Sequence, residues 1–226
     1  MSVTGVVAAL TAEARTLDPL PKNRLVALSG MGPQAAARAA QDLVAAGAEA
    51  LLSFGLAGAL DPTLQPGAVV LPQTVIDGAG GTYVAYDPWC DRLAAQVASI
   101  TDAALAVGGV LLSVARPLST VESKSQAHAD TGACAVDMES FAIAEVAARM
   151  GVRFAIARVV IDTATDALPL SVIRATGEFG DVNLARLVAG LVGAPADLRL
   201  LARLPRRYRA AMRTLRGLAR LDLGSP

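Results

Sequence analysis

Short apolar runs alternate with amphipathic segments along most of the chain. Runs without a helical period, at Val3–Leu10, Arg24–Ser29 and Ala50–Phe54, predict buried strands. Pro33 stands at a first helical position, and the alanine-rich segment Gln34–Ala46 that follows it predicts a helix. This order of elements is typical of a sheet whose strands are connected by helices.

The second half of the chain continues the alternation. Further strands are predicted at Ala68–Leu71, Val110–Ala115, Ala133–Val136 and Arg153–Ile161, and further helices at Asp91–Ala106 and from Phe141 to Gly151. We therefore expect an α/β protein with three layers, α/β/α, around a mixed and mostly parallel central sheet.

Length and composition exclude several classes of protein. The chain has 226 residues, of which 54% are hydrophobic, but no stretch reaches the roughly 18 uninterrupted apolar residues of a membrane span. The N-terminus carries no basic segment, so a secretory signal is not expected. Cys90 and Cys134 form no metal-binding or redox pattern and fit a reducing cytoplasm.

Charge divides the chain into two parts. Residues 195–226 contain eight arginines and two aspartates, a balance of +6, whereas residues 1–194 have a balance of −6. We interpret 1–194 as the main domain and 195–226 as a basic amphipathic helix, because five arginines of the latter (Arg206, Arg209, Arg213, Arg216 and Arg220) form one helical stripe. Two interpretations stay open: peripheral binding to an anionic membrane, or packing on the domain. Nucleic acid is not an expected partner, since this segment has only one aromatic residue, Tyr208, and no lysine.

Several carboxylates directly follow predicted strands. In parallel sheets, ligands gather at the carboxyl ends of the strands, so Glu13, Gly55–Gly58, Asp137–Glu139 and Asp162 form one candidate site. Each residue alone has a structural alternative: Glu13 and Glu139 as favourable first-turn charges of helices, and Asp162 as the cap of the next turn. Paired carboxylates also suit glycosidic-bond cleavage, in which one holds a proton and another stays charged.

Four segments in order resemble the methylthioadenosine/S-adenosylhomocysteine nucleosidases and the wider nucleoside phosphorylase superfamily. They are Val6-Val7-Ala8-Ala9-Leu10-Thr11-Ala12-Glu13, Phe54-Gly55-Leu56-Ala57-Gly58 with Pro66-Gly67-Ala68-Val69-Val70, Ala135-Val136-Asp137-Met138-Glu139-Ser140 and Arg158-Val159-Val160-Ile161-Asp162. The resemblance covers roughly residues 3–190. It implies release of a purine base from a nucleoside.

The resemblance gives each candidate residue a role. Glu13 is implied to activate water, Met138 and Glu139 to bind ribose, and Asp162 to protonate the base at N7. The other implied substrate-binding residues are Gly55, Leu56, Ala57, Gly58, Thr120, Val121 and Asp137. Ser53 occupies the position at which phosphorylases present an arginine, so we expect hydrolysis, with phosphate as the alternative co-substrate and no cofactor or metal.

One branch of the superfamily, the hopanoid-biosynthesis-associated phosphorylases, is the most similar to the whole chain. The segment His128-x-x-Thr131-Gly132 and the arginine- and leucine-rich tail carry this resemblance. It implies release of adenine from adenosylhopane by a cytoplasmic homo-oligomer, expected to be a dimer, or by an enzyme at the inner face of the membrane. The alternatives are methylthioadenosine, S-adenosylhomocysteine or futalosine as substrate, or a nucleoside-binding protein without activity.

Overall fold

The strands of the described residues form one ten-stranded sheet. The computed structural model describes residues 2–19, 21–100, 104–168, 176–181 and 204–225. The strands are β1 Thr4–Ala8, β2 Arg24–Leu28, β3 Ala50–Ala59, β4 Val69–Leu71, β5 Thr74–Ile76, β6 Thr82–Val84, β7 Leu105–Val107, β8 Val110–Ser113, β9 Ala135–Asp137 and β10 Arg153–Asp162. The helices are α1 Thr11–Ala14, which runs into a 3₁₀ turn at Arg15–Leu17, α2 Pro33–Ala45, α3 Asp87–Ile100, α4 Val121–Thr131, α5 Ser140–Met150 and α6 Leu204–Ala219.

Strand β3 lies at the centre of the sheet and pairs with three other strands. One edge pairs in parallel with β10 along most of the strand. The other edge pairs in parallel with β1 over residues 50–53 and antiparallel with β9 over residues 58 and 59. Among the described strands, none pairs with this edge between these two contacts. The split leaves a short opening in the sheet at residues 54–57.

Both faces of the sheet are covered. Helices α2 and α5 bury their alanine-rich sides on one face, together with Leu51 of β3. Helices α3 and α6 cover the other face, where they meet the next residue of the same strand, Leu52. Alternate residues of β3 thus enter two different cores, which explains why the strand is apolar without a break. The predicted three-layer α/β/α class with a mostly parallel sheet is confirmed.

Some of the predicted elements are wrong or incomplete. The helix predicted at Asp91–Ala106 begins earlier, at Asp87, and Leu105–Val107 is the strand β7. The hairpin of β5 and β6 and helix α4 were not predicted, since short strands and a polar helix have weak hydrophobic periodicity. Strand β3 runs through its glycine segment to Ala59, five residues beyond its predicted end at Phe54.

The C-terminal helix packs on the domain. The apolar residues Ala211, Met212, Leu215 and Leu218 of α6 are buried in the core beside β10. The five arginines of the predicted stripe are all exposed on the opposite side. The predicted boundary at residue 194 lies outside the described residues. Within the part of the chain that the structure describes, no helix is long and apolar enough to cross a membrane.

Candidate active site

The site is built around the glycine segment of β3. Gly55 stands opposite Arg158 of β10, and Gly58 stands opposite Asp162 of the same strand. A Cβ on Gly55 would lie 2.5 Å from Oε1 of Glu13 and 2.8 Å from Nη1 of Arg158. A Cβ on Gly58 would lie 3.2 Å from Oδ1 of Asp162. The two glycines therefore provide the space into which three charged side chains fold.

Glu13 joins helix α1 to the opening in the sheet. Its Oε2 accepts hydrogen bonds from the backbone N–H groups of Ala9 (3.0 Å) and Leu10 (2.9 Å), so it caps its own helix. Its Oε1 accepts a bond of 2.8 Å from the N–H of Leu56. Oε2 therefore caps the helix, whereas Oε1 is directed at the glycine segment of β3. Burial raises the pKa of Glu13 above its ordinary value, against the lowering effect of Arg158.

Arg158 is a buried cation surrounded by acceptors. Its Nη2 lies 2.6 Å from Oδ2 of Asp137 and 3.6 Å from Oε2 of Glu139. The same nitrogen donates to Oγ of Ser53 at 2.8 Å, and Nη1 donates to the carbonyl of Leu56 at 3.3 Å. Because an unpaired charge is costly in a protein interior, these contacts account for an arginine that is only 1% exposed.

Asp137 and Glu139 lie two residues apart, but their side chains bind different groups. Asp137 accepts hydrogen bonds from the backbone N–H and the hydroxyl of Ser140, so it caps helix α5. Glu139 is the N-cap residue of that helix, yet its side chain leaves the helix and accepts a 2.9 Å bond from the N–H of Gly32. Burial raises the pKa of Glu139, Arg158 lowers it and Asp137 raises it, and together they place it at about 7. The first-turn interpretation therefore describes Asp137 better than Glu139.

Asp162 is paired with a lysine. The ammonium of Lys124, which is 1% exposed, donates to the carboxylate of Asp162 and, at 2.9 Å, to the carbonyl of Thr163. Asp166 accepts the N–H of Thr163 at 2.9 Å, so this residue caps the turn after β10. Burial raises the pKa of Asp162, and the nearby ammonium lowers it. The capping role that the sequence allowed for Asp162 is therefore filled by Asp166.

These side chains surround one cavity of about 210 Å³. Eight of the predicted site residues line it, namely Glu13, Leu56, Ala57, Gly58, Asp137, Met138, Glu139 and Asp162. Gly55 lies behind them and makes room for Glu13 and Arg158. Thr120 and Val121 are not among its lining residues: Thr120 is exposed and caps α4 by accepting the N–H of Ser123 at 3.1 Å. The cavity is otherwise lined mainly by apolar side chains.

The order of these elements is that of a known family. A family model described as the Phosphorylase superfamily matches residues 21–192. This chain belongs to the phosphorylase superfamily. The matched segment contains β2 to β10 and every charged group of the site except Glu13, which precedes it.

One curated member of the superfamily is similar in sequence. The S-methyl-5′-thioadenosine phosphorylase of Mycobacterium tuberculosis is 28% identical over 158 residues, which are 63% of this chain and 59% of the relative. The chain therefore matches less than two thirds of the length of that relative.

Solved structures of the superfamily share the fold. A mutant of the Helicobacter pylori nucleosidase MTAN, with 5′-methylthioadenosine in its active site, has a TM-score of 0.68 at 16% identity and covers 96% of this chain and 98% of its own. The methylthioadenosine/S-adenosylhomocysteine nucleosidase of Neisseria meningitidis, bound to methylthio-immucillin-A, has a TM-score of 0.68 at 21% identity (85% and 99% covered). The H. pylori futalosine hydrolase has a TM-score of 0.67 at 17% identity (96% and 97%). These likenesses establish the fold.

Two charged residues of the site were missed from the sequence. Arg158 interrupts the apolar strand Arg153–Ile161, and a charge in such a strand indicates a buried partner. Its guanidinium donates to the hydroxyl of Ser53 on the neighbouring strand β3. Lys124 lies on α4, whose start at Thr120 carries a capping box that could have indicated the helix. No sequence feature indicates that Lys124 meets Asp162.

Proposed function

We propose that this protein cleaves the N-glycosidic bond of a purine nucleoside, with water as the nucleophile. The observation that carries the proposal is a single cavity lined by four carboxylates, three of which lie in clearly different environments. Asp162 contacts an ammonium, Glu139 lies beside a guanidinium, and Glu13 accepts three backbone N–H groups. Different surroundings allow chemically identical groups to act as acid, base and charge stabiliser.

The base binds at the end of the cavity that holds Asp162. Leu168 donates its N–H to the carbonyl of Ser119 at 2.8 Å, which brings Leu168 beside Leu118 and the start of α4. Together with Val114 they give this end apolar walls that suit a flat purine ring. Asp162 protonates N7 as the glycosidic bond breaks, so the base leaves as a neutral molecule.

The ribose binds at the other end, where Glu139 and Glu13 lie. The ionised carboxylate of Glu139 accepts hydrogen bonds from the ribose hydroxyls, and its negative charge stabilises the cation that develops at C1′. Glu13 takes the proton of the attacking water through Oε1, which faces the opening in the sheet. Arg158 holds the negative charges of this end together and keeps them in place.

Water is favoured over phosphate by the charge of this end. Three carboxylates (Glu13, Asp137 and Glu139) surround the single guanidinium of Arg158, so a phosphate dianion would be repelled. The loop before α2 does not offer an anion cradle either. The N–H of Gly32 is bonded to Glu139, and the N–H of Met31 donates to the carbonyl of Glu178 at 2.9 Å. The groups that would bind phosphate are already occupied.

The substrate that we propose is adenosylhopane, whose 5′ substituent is a large hydrocarbon. The apolar rim at the ribose end supports this proposal. Leu10 and Met31 line the cavity there, and the N–H of Thr11 donates at 3.2 Å to the carbonyl of Phe179, whose side chain is 41% exposed. Exposed apolar side chains beside a cavity suit an apolar substituent that extends out of it. Methylthioadenosine, which has a small apolar 5′ group, is the second candidate, favoured by the curated relative.

Purine release tests both parts of the proposal. Adenosylhopane, methylthioadenosine, S-adenosylhomocysteine and futalosine are incubated with the protein, with and without phosphate, and the free base and the sugar product are quantified. We expect adenine and a free ribosyl product without phosphate, with the highest kcat/KM for adenosylhopane. The Asp162→Asn variant controls for contaminating enzymes. Strict dependence on phosphate would contradict hydrolysis, and a preference for methylthioadenosine would contradict adenosylhopane as the substrate. Binding without cleavage would indicate a non-catalytic protein.

We also propose that the arginine stripe of α6 brings the protein to anionic lipid. Since the apolar side of this helix is already buried in the domain, the attraction is electrostatic and involves no insertion. Arg207, which lies outside the stripe, pairs with Asp166 at 2.6 Å and fixes the start of α6 beside the base end of the cavity.

A further inference from the structure

Lys124 and Asp162 form a buried ion pair inside the cavity. Both side chains are buried, both line the cavity, and they come from elements that are 38 residues apart in the chain. A buried ion pair is often no more stabilising than an apolar pair of the same volume, because both charges lose their hydration. Stability therefore does not by itself account for a lysine at this position.

Among the residues that the structure describes, the other charges near Asp162 are weaker or already paired. Asp166 follows in the next turn and raises the pKa of Asp162, whereas Arg207 of α6 lowers it. These two residues pair with each other at 2.6 Å, so their effects largely offset. On α4 itself, the Nδ1 of His128 is 2.8 Å from the carbonyl of Ala133. Lys124 is thus the dominant cation at the proposed acid.

We propose that Lys124 supplies the proton that Asp162 delivers to the purine, so that the acid of this site is the Lys124–Asp162 pair. This inference rests on the proposed function. It assigns Lys124 a role that the sequence analysis did not foresee. In this arrangement the site keeps a transferable proton even when the carboxylate of Asp162 is ionised.

The proton transfers balance. The bond between N9 and C1′ breaks and its electron pair goes to the purine, whose N7 receives a proton from the Oδ of Asp162. A proton from the ammonium of Lys124 passes to Asp162, which leaves a neutral amine. Water adds to C1′ and gives its proton to Glu13, and exchange with solvent restores the proton on Lys124 and removes it from Glu13. The sum is water plus nucleoside giving free base plus ribosyl product.

A proton held by a lysine persists to higher pH than one held by a carboxyl group. The ordinary pKa of a lysine side chain is about 10.4, and that of an aspartic acid side chain about 3.9. Lys124 is therefore a proton source that does not depend on the protonation of Asp162. Without Lys124, the acid is lost once Asp162 itself ionises, at a pKa that burial raises.

The test is the pH dependence of kcat/KM for purine release by the wild type, Lys124→Met and Lys124→Arg. We expect Lys124→Met to lose activity on the alkaline side, by about 100-fold at pH 9, with less than about fivefold loss at pH 5.5. Arginine keeps the positive charge but does not give up its proton. Lys124→Arg should therefore fail to rescue activity at pH 9, which separates proton supply from mere positioning.

A second substrate keeps the test valid if a variant is partly misfolded. The leaving group of 4-nitrophenyl β-D-ribofuranoside departs without protonation, so its cleavage reports the folding and ribose binding of each variant separately from proton supply. The ratio of purine release to nitrophenol release should therefore fall at pH 9 in Lys124→Met. If Lys124→Arg restores the alkaline limb, or Lys124→Met leaves it in place, Lys124 is not the proton source. Equal loss on both substrates would also overturn the inference, since it indicates a structural role. Absence of purine release by the wild type would instead contradict the proposed function itself.

Discussion

Arg158 Nη2 lies 2.6 Å from Oδ2 of Asp137, and both side chains are almost completely buried. This contact joins the central strand β10 to the end of β9, which approaches β3 from the opposite edge. It places a cation at the opening in the sheet, beside the negative charges of the proposed ribose end. The pair therefore links the stability of the fold to the charge of the site.

We expect Arg158→Met to destabilise the protein by about 3–5 kcal/mol, because Asp137 and its neighbours would be buried without their cation. Arg158 lowers the pKa values of Glu13 and Glu139, so without it these two pKa values rise further above their unfolded values. Stability should then fall as the pH rises, so the loss is greater at pH 8 than at pH 5.5. Urea denaturation at both pH values checks this. Arg158→Lys is the control that keeps a charge, and an equal loss at both pH values would contradict the electrostatic explanation.

Glu139 predicts an acid limb in the activity profile. Its folded pKa of about 7 lies above its ordinary value of 4.5, and the proposed role requires the ionised form. We expect kcat/KM to rise with pH and to level off above pH 7. Glu139→Gln should abolish that limb and lower turnover far more than it weakens adenine binding, measured by calorimetry. Equal loss of turnover and binding would point to a folding role.

The same residue gives a stability prediction with a defined sign. The native state holds a proton on Glu139 that the unfolded state has released between pH 4.5 and about 7. The contribution of this group is therefore fully present below pH 4.5 and is lost as the pH rises through about 7. Glu139→Gln should show a flatter dependence of the free energy of unfolding on pH in that range. An unchanged slope would mean that the pKa of Glu139 is not raised.

Asp162→Asn should reduce the rate of purine release by roughly 10²–10⁴-fold, because the amide keeps the shape of the side chain but cannot protonate the base. Cleavage of 4-nitrophenyl β-D-ribofuranoside serves as the control and should be spared. Near-normal turnover of a purine nucleoside by this variant would remove Asp162 from its assigned role.

Helix α6 allows two matched comparisons. Leu215 is fully buried, so Leu215→Ala should cost about 2–5 kcal/mol of unfolding free energy, whereas Tyr208→Ala, at a side chain that is 42% exposed, should cost far less. Similar losses at both positions would contradict the observed packing of the helix.

The second comparison tests lipid binding without removing the helix from the core. The five stripe arginines (Arg206, Arg209, Arg213, Arg216 and Arg220) are changed together to glutamine, or to lysine as the control that keeps the charge. We expect the wild type and the lysine variant to sediment with anionic vesicles at low salt and the glutamine variant to stay in solution. Failure of all three to bind would leave α6 with a packing role alone.

The layers of the fold and most of the site could be predicted from the sequence. Apolar runs such as Arg153–Ile161 have no helical period and are long enough to cross a sheet, so they indicated strands directly. The carboxylates at their ends were found for the same reason, since Glu13, Glu139 and Asp162 each follow a predicted strand. The error at Asp91–Ala106 arose because Leu105–Val107 is too short for its alternation to be separated from the preceding helix.

Which alternative each carboxylate follows was decided by tertiary contacts. The first-turn role offered to Glu139 belongs to Asp137, and the turn cap offered to Asp162 belongs to Asp166. Glu13 caps its own helix with Oε2, and its Oε1 meets the N–H of Leu56 in the glycine segment of β3. Sequence position placed these residues near strand ends, but only the folded chain determines which donor each oxygen meets.

The sequence by itself determined the alternation of strands and helices, the glycine segment of β3 and the carboxylates at the strand ends, because these are properties of short stretches of chain. The tertiary structure alone decided that Arg158 lies among three carboxylates, that Lys124 meets Asp162 and that the apolar side of α6 is buried in the core. The physical reason is that the local sequence around a charged side chain or an apolar face does not determine its partner. The partner comes from a distant segment, which the strand order brings into contact. That order is set by the cores on both faces of the sheet, which combine residues from the whole chain.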